Sequence, residues 1–422
     1  MADHSSPGGF SDDETNTAVT GLEDMALFDR ERHEPLTDTA WNEVAVRCVI
    51  DRIVADTEHT FTEQGLWPLH PIDVSPERAS ILKPVYYGAA GVIWALRYLH
   101  GAGAAELTRD YLPAVGRLLA AHRADSLELT GAPVPGYPVG DAGILLLHWT
   151  LAPSAQLADA LHAAIESNAH HPALGFAWGG AGSMLASLFM VERTGEARWK
   201  QLYLRICDVL WRSWEYHADV GCHLWTQDLY GGRARHVGGL HGFPGIMFCM
   251  LRGRDLLPAE RQSELVQRAH RAVQATAAQS GQYANWPLTV EQPAAVRLQH
   301  CVGAPGMINC LMRLPSEPAT DALLLAGGEL TWHAGPLVKL PSLCHGVPGS
   351  AFAFLKLFQR TGNDEWLERA RRFAMHAIEQ NERFTQAYGQ RKYSLWTGDL
   401  GLAVYLWHCI GTNAEFPTLD FF

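Results

Sequence analysis

The chain has 422 residues, 47 % hydrophobic and 18 % charged, a composition that supplies a large core and excludes a disordered or fibrous protein. Thirty-three Lys and Arg against 45 Asp and Glu leave a formal charge of −12, so there is no basic footprint for a nucleic-acid backbone. No apolar run approaches the roughly 20 residues that span a bilayer, and a soluble, cytoplasmic protein with no membrane or nucleic-acid partner is expected.

The opening MADHSSPGGFSDDETNT is polar and acidic, without the basic start and apolar core of a secretion signal. A mobile tail is expected over 1–25, followed by one domain over 26–422. Eight cysteines without such a signal imply reduced thiols. Cys48, Cys207, Cys249 and Cys409 lie in apolar surroundings and are expected to be buried structural thiols.

From residue 88 onward a Gly-x-x-Gly pattern followed by an apolar run recurs. It begins at Gly88 (YYGAAGVIWAL), Gly140 (PVGDAGILLLHW), Gly179 (AWGGAGSMLASLFM) and Gly242 (LHGFPGIMFCML). It continues at Gly303 (HCVGAPGMINCL), Gly346 (CHGVPGSAFAFLKLF) and Gly398 (WTGDLGLAVYLW). The mean step from Gly88 to Gly398 is about 52 residues, room for two helices and their turns.

The runs after each motif are apolar on nearly every side, which predicts helices buried all round, an inner layer. Between them lie amphipathic stretches for an outer layer, at Leu107 to Ala124, Ala197 to Trp214, Ala259 to Gln279 and Asn363 to Gln380. In the last of these Trp366, Ala370, Phe373, Ala377 and Ile378 keep helical spacing, and Asn363 is the expected N-cap ahead of Asp364 and Glu365. Strand-like alternation is scarce. Each hairpin needs neighbours to bury its apolar face, and seven can satisfy this by closing on themselves. The expected fold is all-α, an α/α toroid (barrel) of seven helical hairpins.

Equivalent repeats place the residues before each motif at one end of the ring. Cys301 and Cys344 both stand two positions before a first glycine, although they are 43 residues apart. His241 and His345 both stand one position before it. Three consecutive repeats thus project thiols and imidazoles toward one space. Zinc favours such ligands, and three protein ligands with an open fourth position mark a catalytic site; Cys301, Cys344 and His345 supply that set. A Cys-His dipeptide alone is as a rule structural, and it is the shared register that points to a metal. His241 reads either as a core histidine bonded to a backbone carbonyl or as part of the site.

With seven Gly-x-x-Gly repeats, Cys-x-Gly-x-Pro-Gly at Cys301 and Cys-His-Gly at Cys344, the chain resembles the lanthionine synthetase C-like (LanC-like) family from about Tyr86 to Trp407. SLWTGDLGLAVYLW and WTQDLYGG are similar to its bacterial stand-alone members. The resemblance implies an α/α toroid with zinc on Cys301, Cys344 and His345. It also implies addition of a cysteine or glutathione thiol to a dehydroalanine or dehydrobutyrine of a peptide or protein. His241 matches the family residue assigned to proton transfer. Arg297 matches a family arginine of the pocket that could steady the enolate, its alternative being an ordinary surface arginine.

Two positions depart from the family pattern. Val302 stands where cyclases carry a Tyr or His after the first zinc cysteine, and Gly175 stands where the family has an acid. His300, on the other side of Cys301, either makes up for the loss or serves behind the ligands or toward solvent. The departures keep open a zinc-bound scaffold or peptide-binding protein with impaired chemistry. A third reading is a toroidal glycoside hydrolase using Asp141 and Asp399, which share the place after the first glycine. The first turn of a helix also favours an acid, and a glycosidase has no use for the cysteine pair.

Overall fold

The computed structural model describes residues 26–74 and 82–422; the mobile tail expected over 1–25 lies outside the described residues. In chain order the helices are α1 (Glu43–Thr60), α2 (Ala89–Gly101), α3 (Leu112–Thr130), α4 (Asp141–Leu151), α5 (Ala155–Ser167), α6 (Gly180–Thr194) and α7 (Ala197–Arg212). They continue with α8 (Phe243–Arg252), α9 (Ala259–Thr276), α10 (Ala304–Leu311), α11 (Pro318–Ala334), α12 (Val347–Thr361), α13 (Asp364–Tyr388) and α14 (Asp399–Gly411). The even-numbered helices are the inner layer, each starting behind the first glycine of a motif. Each packs on the next inner helix, and α14 packs on α2, which closes the ring.

Inner helices are buried all round, as in α6, where every residue from Gly180 to Met190 is buried. Outer helices bury one face, as α9 does with Leu265, Ala269, Ala272 and Val273. The second glycine of each motif has a steric reason. A β-carbon there would lie 1.7–2.2 Å from the carbonyl oxygen six residues earlier, because the loop before the helix folds back onto its first turn.

Some elements differ from the sequence expectation. α3 starts at Leu112, where the Asp110 carboxylate accepts from the Leu112 amide, and runs on to Gly131 in the left-handed conformation. α13 keeps its Asn363 cap but continues to Tyr388, ending at left-handed Gly389. α7 and α9 stop short because Trp214 and Gln279 belong to strands. Among the described residues four two-stranded hairpins occur where none was expected. They are β1 (Trp214–His217) with β2 (Cys222–Trp225), β3 (Gln227–Leu229) with β4 (Gly232–Ala234), β5 (Ala278–Ser280) with β6 (Tyr283–Asn285), and β7 (Pro287–Thr289) with β8 (Gln292–Val296). Strands this short carry almost no readable alternation. The β3–β4 and β7–β8 pairs meet edge to edge through Val237 N–H to Leu288 C=O (3.0 Å) and Val290 N–H to Arg235 C=O (3.1 Å).

Cys207, Cys249 and Cys409 are buried as expected, but Cys48 is exposed on the outer side of α1. Its apolar sequence neighbours Val46, Val49 and Ile50 turn inward while position 48 turns to solvent.

After α14 the chain turns back under the ring. Phe416 packs on His300, Phe352 and Trp396, with ring centroids 4.5, 4.8 and 5.4 Å away. Asp420, 2 % exposed, accepts from Lys356 Nζ at 2.6 Å, Arg313 Nη2 at 3.0 Å and the Phe416 amide at 2.8 Å. This segment ties α10, α12 and α14 together from below.

Candidate functional site

The positions aligned by the repeats are joined by main-chain hydrogen bonds. Cys301 N–H donates to Cys344 C=O (3.1 Å), Cys344 N–H to Trp396 C=O (2.9 Å), Trp396 N–H to Tyr86 C=O (3.1 Å) and Tyr86 N–H to Pro138 C=O (2.7 Å). All five residues stand two places before the first glycine of a motif.

This ring brings the two cysteines together. Their thiols hydrogen-bond to each other. Gln299 Nε2 donates to Cys301 Sγ at 3.0 Å and Tyr86 Oη to Cys344 Sγ at 2.7 Å. The Tyr86 ring is held by stacking on Trp396, 5.4 Å between centroids. Cys344 is buried and Cys301 partly exposed, so the pair has one open side. Burial, and then the Cys301 thiol beside it, push the Cys344 thiol well above the ordinary thiol range; the Tyr86 hydrogen bond and Lys339 act the other way.

Two contacting thiols, one of them held against ionisation by burial, suit a thiolate-binding dication, whose charge would offset that penalty. The pair therefore fits the expected metal. His345, partly exposed, directly follows Cys344, and among the described residues no three His, Cys, Asp or Glu side chains stand grouped as a metal site.

His241, partly exposed at the same end of the ring, has its ring pushed down to about 3, by burial first and then by His236. Its carbonyl accepts from the Gln227 side chain, which also donates to Ala173 C=O. Its Nε2 lies 3.5 Å from Tyr230 Oη. Arg297, partly exposed directly after β8, accepts from Asn285 Nδ2 through its carbonyl at 3.2 Å and so ties the loop before Cys301 to β6.

His300 does not face solvent. It is fully buried, stacked on Phe416, with Nδ1 3.3 Å from Asn309 Nδ2, and burial pushes it down to about 3. Val302 is 6 % exposed and its backbone bonds in both directions with Gln299. Gly175 has no room for an acid, since a β-carbon there would lie 2.4 Å from His241 C=O and 3.0 Å from Gln227 Nε2. Asp141 and Asp399 are both buried, each held by its own arginine, Arg123 Nε at 2.7 Å and Arg391 Nη1 at 3.2 Å. Both stand in the first turn of their helices, where the dipole favours an acid.

Two tyrosines of the site were not expected. Tyr86 carried a signal, because it shares the cysteines' place in its motif. Tyr230 sits at the tip of β3–β4, where its hydroxyl meets Trp178 and the ring of His241. Its signal was a second repeat: Trp225 precedes Gly242 by 17 residues, and Trp286 precedes Gly303 by 17.

The sequence model of the lanthionine synthetase C-like protein family matches residues 84–421. Over 143 residues the chain is 34 % identical to LanC-like protein GCL1 of Arabidopsis thaliana, 32 % of each chain being covered. Over 155 residues it is 31 % identical to Glutathione S-transferase LANCL1 of Danio rerio, 36 % of each being covered. The chain thus spans about a third of the length of these relatives. Among solved structures, nisin cyclase superposes with a TM-score of 0.56 at 13 % identity, over 90 % of this chain and 97 % of that one, a likeness of fold. With a family match over most of its length and the toroid shared with nisin cyclase, the chain belongs to the lanthionine synthetase C-like family.

Proposed function

We propose that the protein adds a thiol to a dehydroamino acid in a peptide or protein, with zinc held by Cys301, Cys344 and His345. The observation that carries this reading is the contact of Cys301 and Cys344, locked by the main-chain bond between them and braced by Tyr86. The family supports the reaction class, and the name of the Danio rerio relative supports glutathione as one thiol.

Zinc, when bound, would supply the positive charge that lets a substrate thiol ionise near neutral pH instead of at its usual value of about 8.5. The thiol adds across the dehydroamino acid double bond. A sulfur–carbon bond forms at the β-carbon, the π pair moves toward the carbonyl as an enolate, and the thiol's proton ends on the α-carbon. No oxidant or reductant is needed. Burial keeps His241 neutral and so able to accept a proton, and an enolate beside its ring favours the charged form that returns it. Arg297 is assigned to steady the enolate.

The closure of Gly175 by the His241 carbonyl favours a second reading, a peptide-binding scaffold with the same metal and no chemistry. One experiment separates the two. Zinc-loaded protein is incubated with a dehydroalanine peptide and glutathione, and in parallel with a dehydroalanine peptide carrying its own cysteine. Trapping of glutathione or loss of the free thiol, slowed about 100-fold in His241→Ala at full zinc occupancy, is expected. Peptide bound but unchanged in both assays would establish the scaffold.

A further inference from the structure

The tip of the β3–β4 hairpin is Tyr230–Gly231, with φ of 56° and 80°. A two-residue turn with positive φ at both positions favours Asn, Asp or Gly, and a bulky residue there is strained. Tyr230 is 57 % exposed, so core packing does not account for it. Strain of this kind is retained where the surroundings hold the residue for a task.

What holds it is on the site side. Trp178 Nε1 donates to Tyr230 Oη at 3.1 Å. The Tyr230 ring meets that of His241 edge-on, at 84° and 5.7 Å between centroids. An indole nitrogen can only donate, so Trp178 takes a lone pair of Oη and the hydroxyl proton is directed elsewhere. His241 Nε2 lies within its reach at 3.5 Å.

We infer that Tyr230 is a positioning residue for His241: its hydroxyl, oriented by Trp178, donates to Nε2 and fixes the tautomer in which Nε2 is bare and the ring proton sits on Nδ1. In that form Nε2 is the one ring nitrogen able to take a proton, and because the hydroxyl meets it there, the proton reaches the ring by way of Oη, which takes one up as it passes its own on. No side chain reaches the ring from position 175, whose space is filled by the His241 carbonyl and Gln227, so the orienting group comes from the hairpin. The consequence for catalysis rests on the thiol-addition reading; the tautomer does not.

The test is nitrogen NMR of histidine-labelled, zinc-loaded full-length protein, with the His241 signals assigned through His241→Gln. In wild type, Nε2 should show the shift of an unprotonated nitrogen accepting a hydrogen bond. In Tyr230→Phe, which keeps the ring and loses the hydroxyl, the two nitrogens should move toward a tautomer mixture, and kcat for thiol addition should fall about tenfold or more with KM little changed. Tyr230→Asn should relieve the turn and raise the melting temperature while losing the tautomer signature, which a merely structural tyrosine would not do. Unchanged His241 nitrogen shifts in Tyr230→Phe would overturn the inference. If neither wild type nor variant adds thiols, the function reading fails while the nitrogen shifts still decide the role of Tyr230.

Discussion

Tyr86 Oη donates to Cys344 Sγ across 2.7 Å although the two residues are 258 positions apart in the chain. The contact exists because the ring closes: the motif of Tyr86 opens the first repeat, that of Cys344 the sixth, and Trp396 of the seventh stands between, bonded to both through its backbone.

That contact gives the first prediction. Tyr86→Phe keeps the stacking on Trp396 and removes the donor to the thiol. Groups that hydrogen-bond a metal ligand tune affinity by roughly 10- to 100-fold. Zinc affinity, measured by competition with a chromophoric chelator, should therefore weaken about 10-fold or more with little change in melting temperature. Equal affinity would remove Tyr86 from the centre.

The second prediction concerns Gly175. Because the β-carbon position lies 2.4 Å from a backbone carbonyl that a buried glutamine also holds, Gly175→Asp cannot simply restore the family acid. Overpacking of this kind costs about 1–3 kcal/mol, more if the carboxylate is left unpaired. Urea unfolding should show the loss, with Gly175→Ala intermediate. An aspartate variant as stable as wild type would mean the loop yields where the structure has it closed.

Beneath the ring, Asp420 and Lys356 form a pair with both side chains at most 5 % exposed. Removing one partner of a buried pair costs about 3–5 kcal/mol, since the other charge is left uncompensated. Asp420→Ala should lose that much by denaturant unfolding. Lys356→Met should lose less, because Arg313 still faces Asp420 at 3.0 Å. Near-equal losses would show that the lysine alone sets the cost.

A pH dependence follows from His408, 1 % exposed, between Tyr98 Oη at 2.7 Å and Asn413 C=O at 3.2 Å. Burial pushes it from 6.5 down to about 4. The unfolded chain therefore takes up the proton first as pH falls. Stability from this group is constant above about 6.5 and is lost as pH drops toward 4. Between pH 7 and 5 the loss should be roughly 2 kcal/mol, and His408→Gln should lose that much less over the same interval. Parallel urea midpoints for the two proteins at both pH values would count against it.

Much of the fold is legible in the sequence because the glycine pairs have one steric job. Each marks where a loop carbonyl lies on the first turn of an inner helix, so counting back from the glycine is enough to set Cys301 beside Cys344. The same count reaches Tyr86, which stands in their register as a donor and not as a thiol or imidazole. The hairpins are hidden because Gln227–Leu229 and Gly232–Ala234 are three residues each, too short for a period of two to stand out. The depth of His300 is illegible for another reason: the ring it stacks on, Phe416, comes from a segment more than a hundred residues on. Cys48 has the sequence surroundings of a buried thiol, but the neighbours that give it them point the opposite way on the helix.

On Cys301 and Cys344 rests the ion that the proposed chemistry requires, and metal content tests that dependence most directly. Elemental mass spectrometry on purified wild type, Cys301→Ala and Cys344→Ala should find one zinc per wild-type chain and a loss in both variants, with the helical circular dichroism kept. Full zinc occupancy in a folded Cys344→Ala protein, or none in freshly prepared wild type, would contradict it.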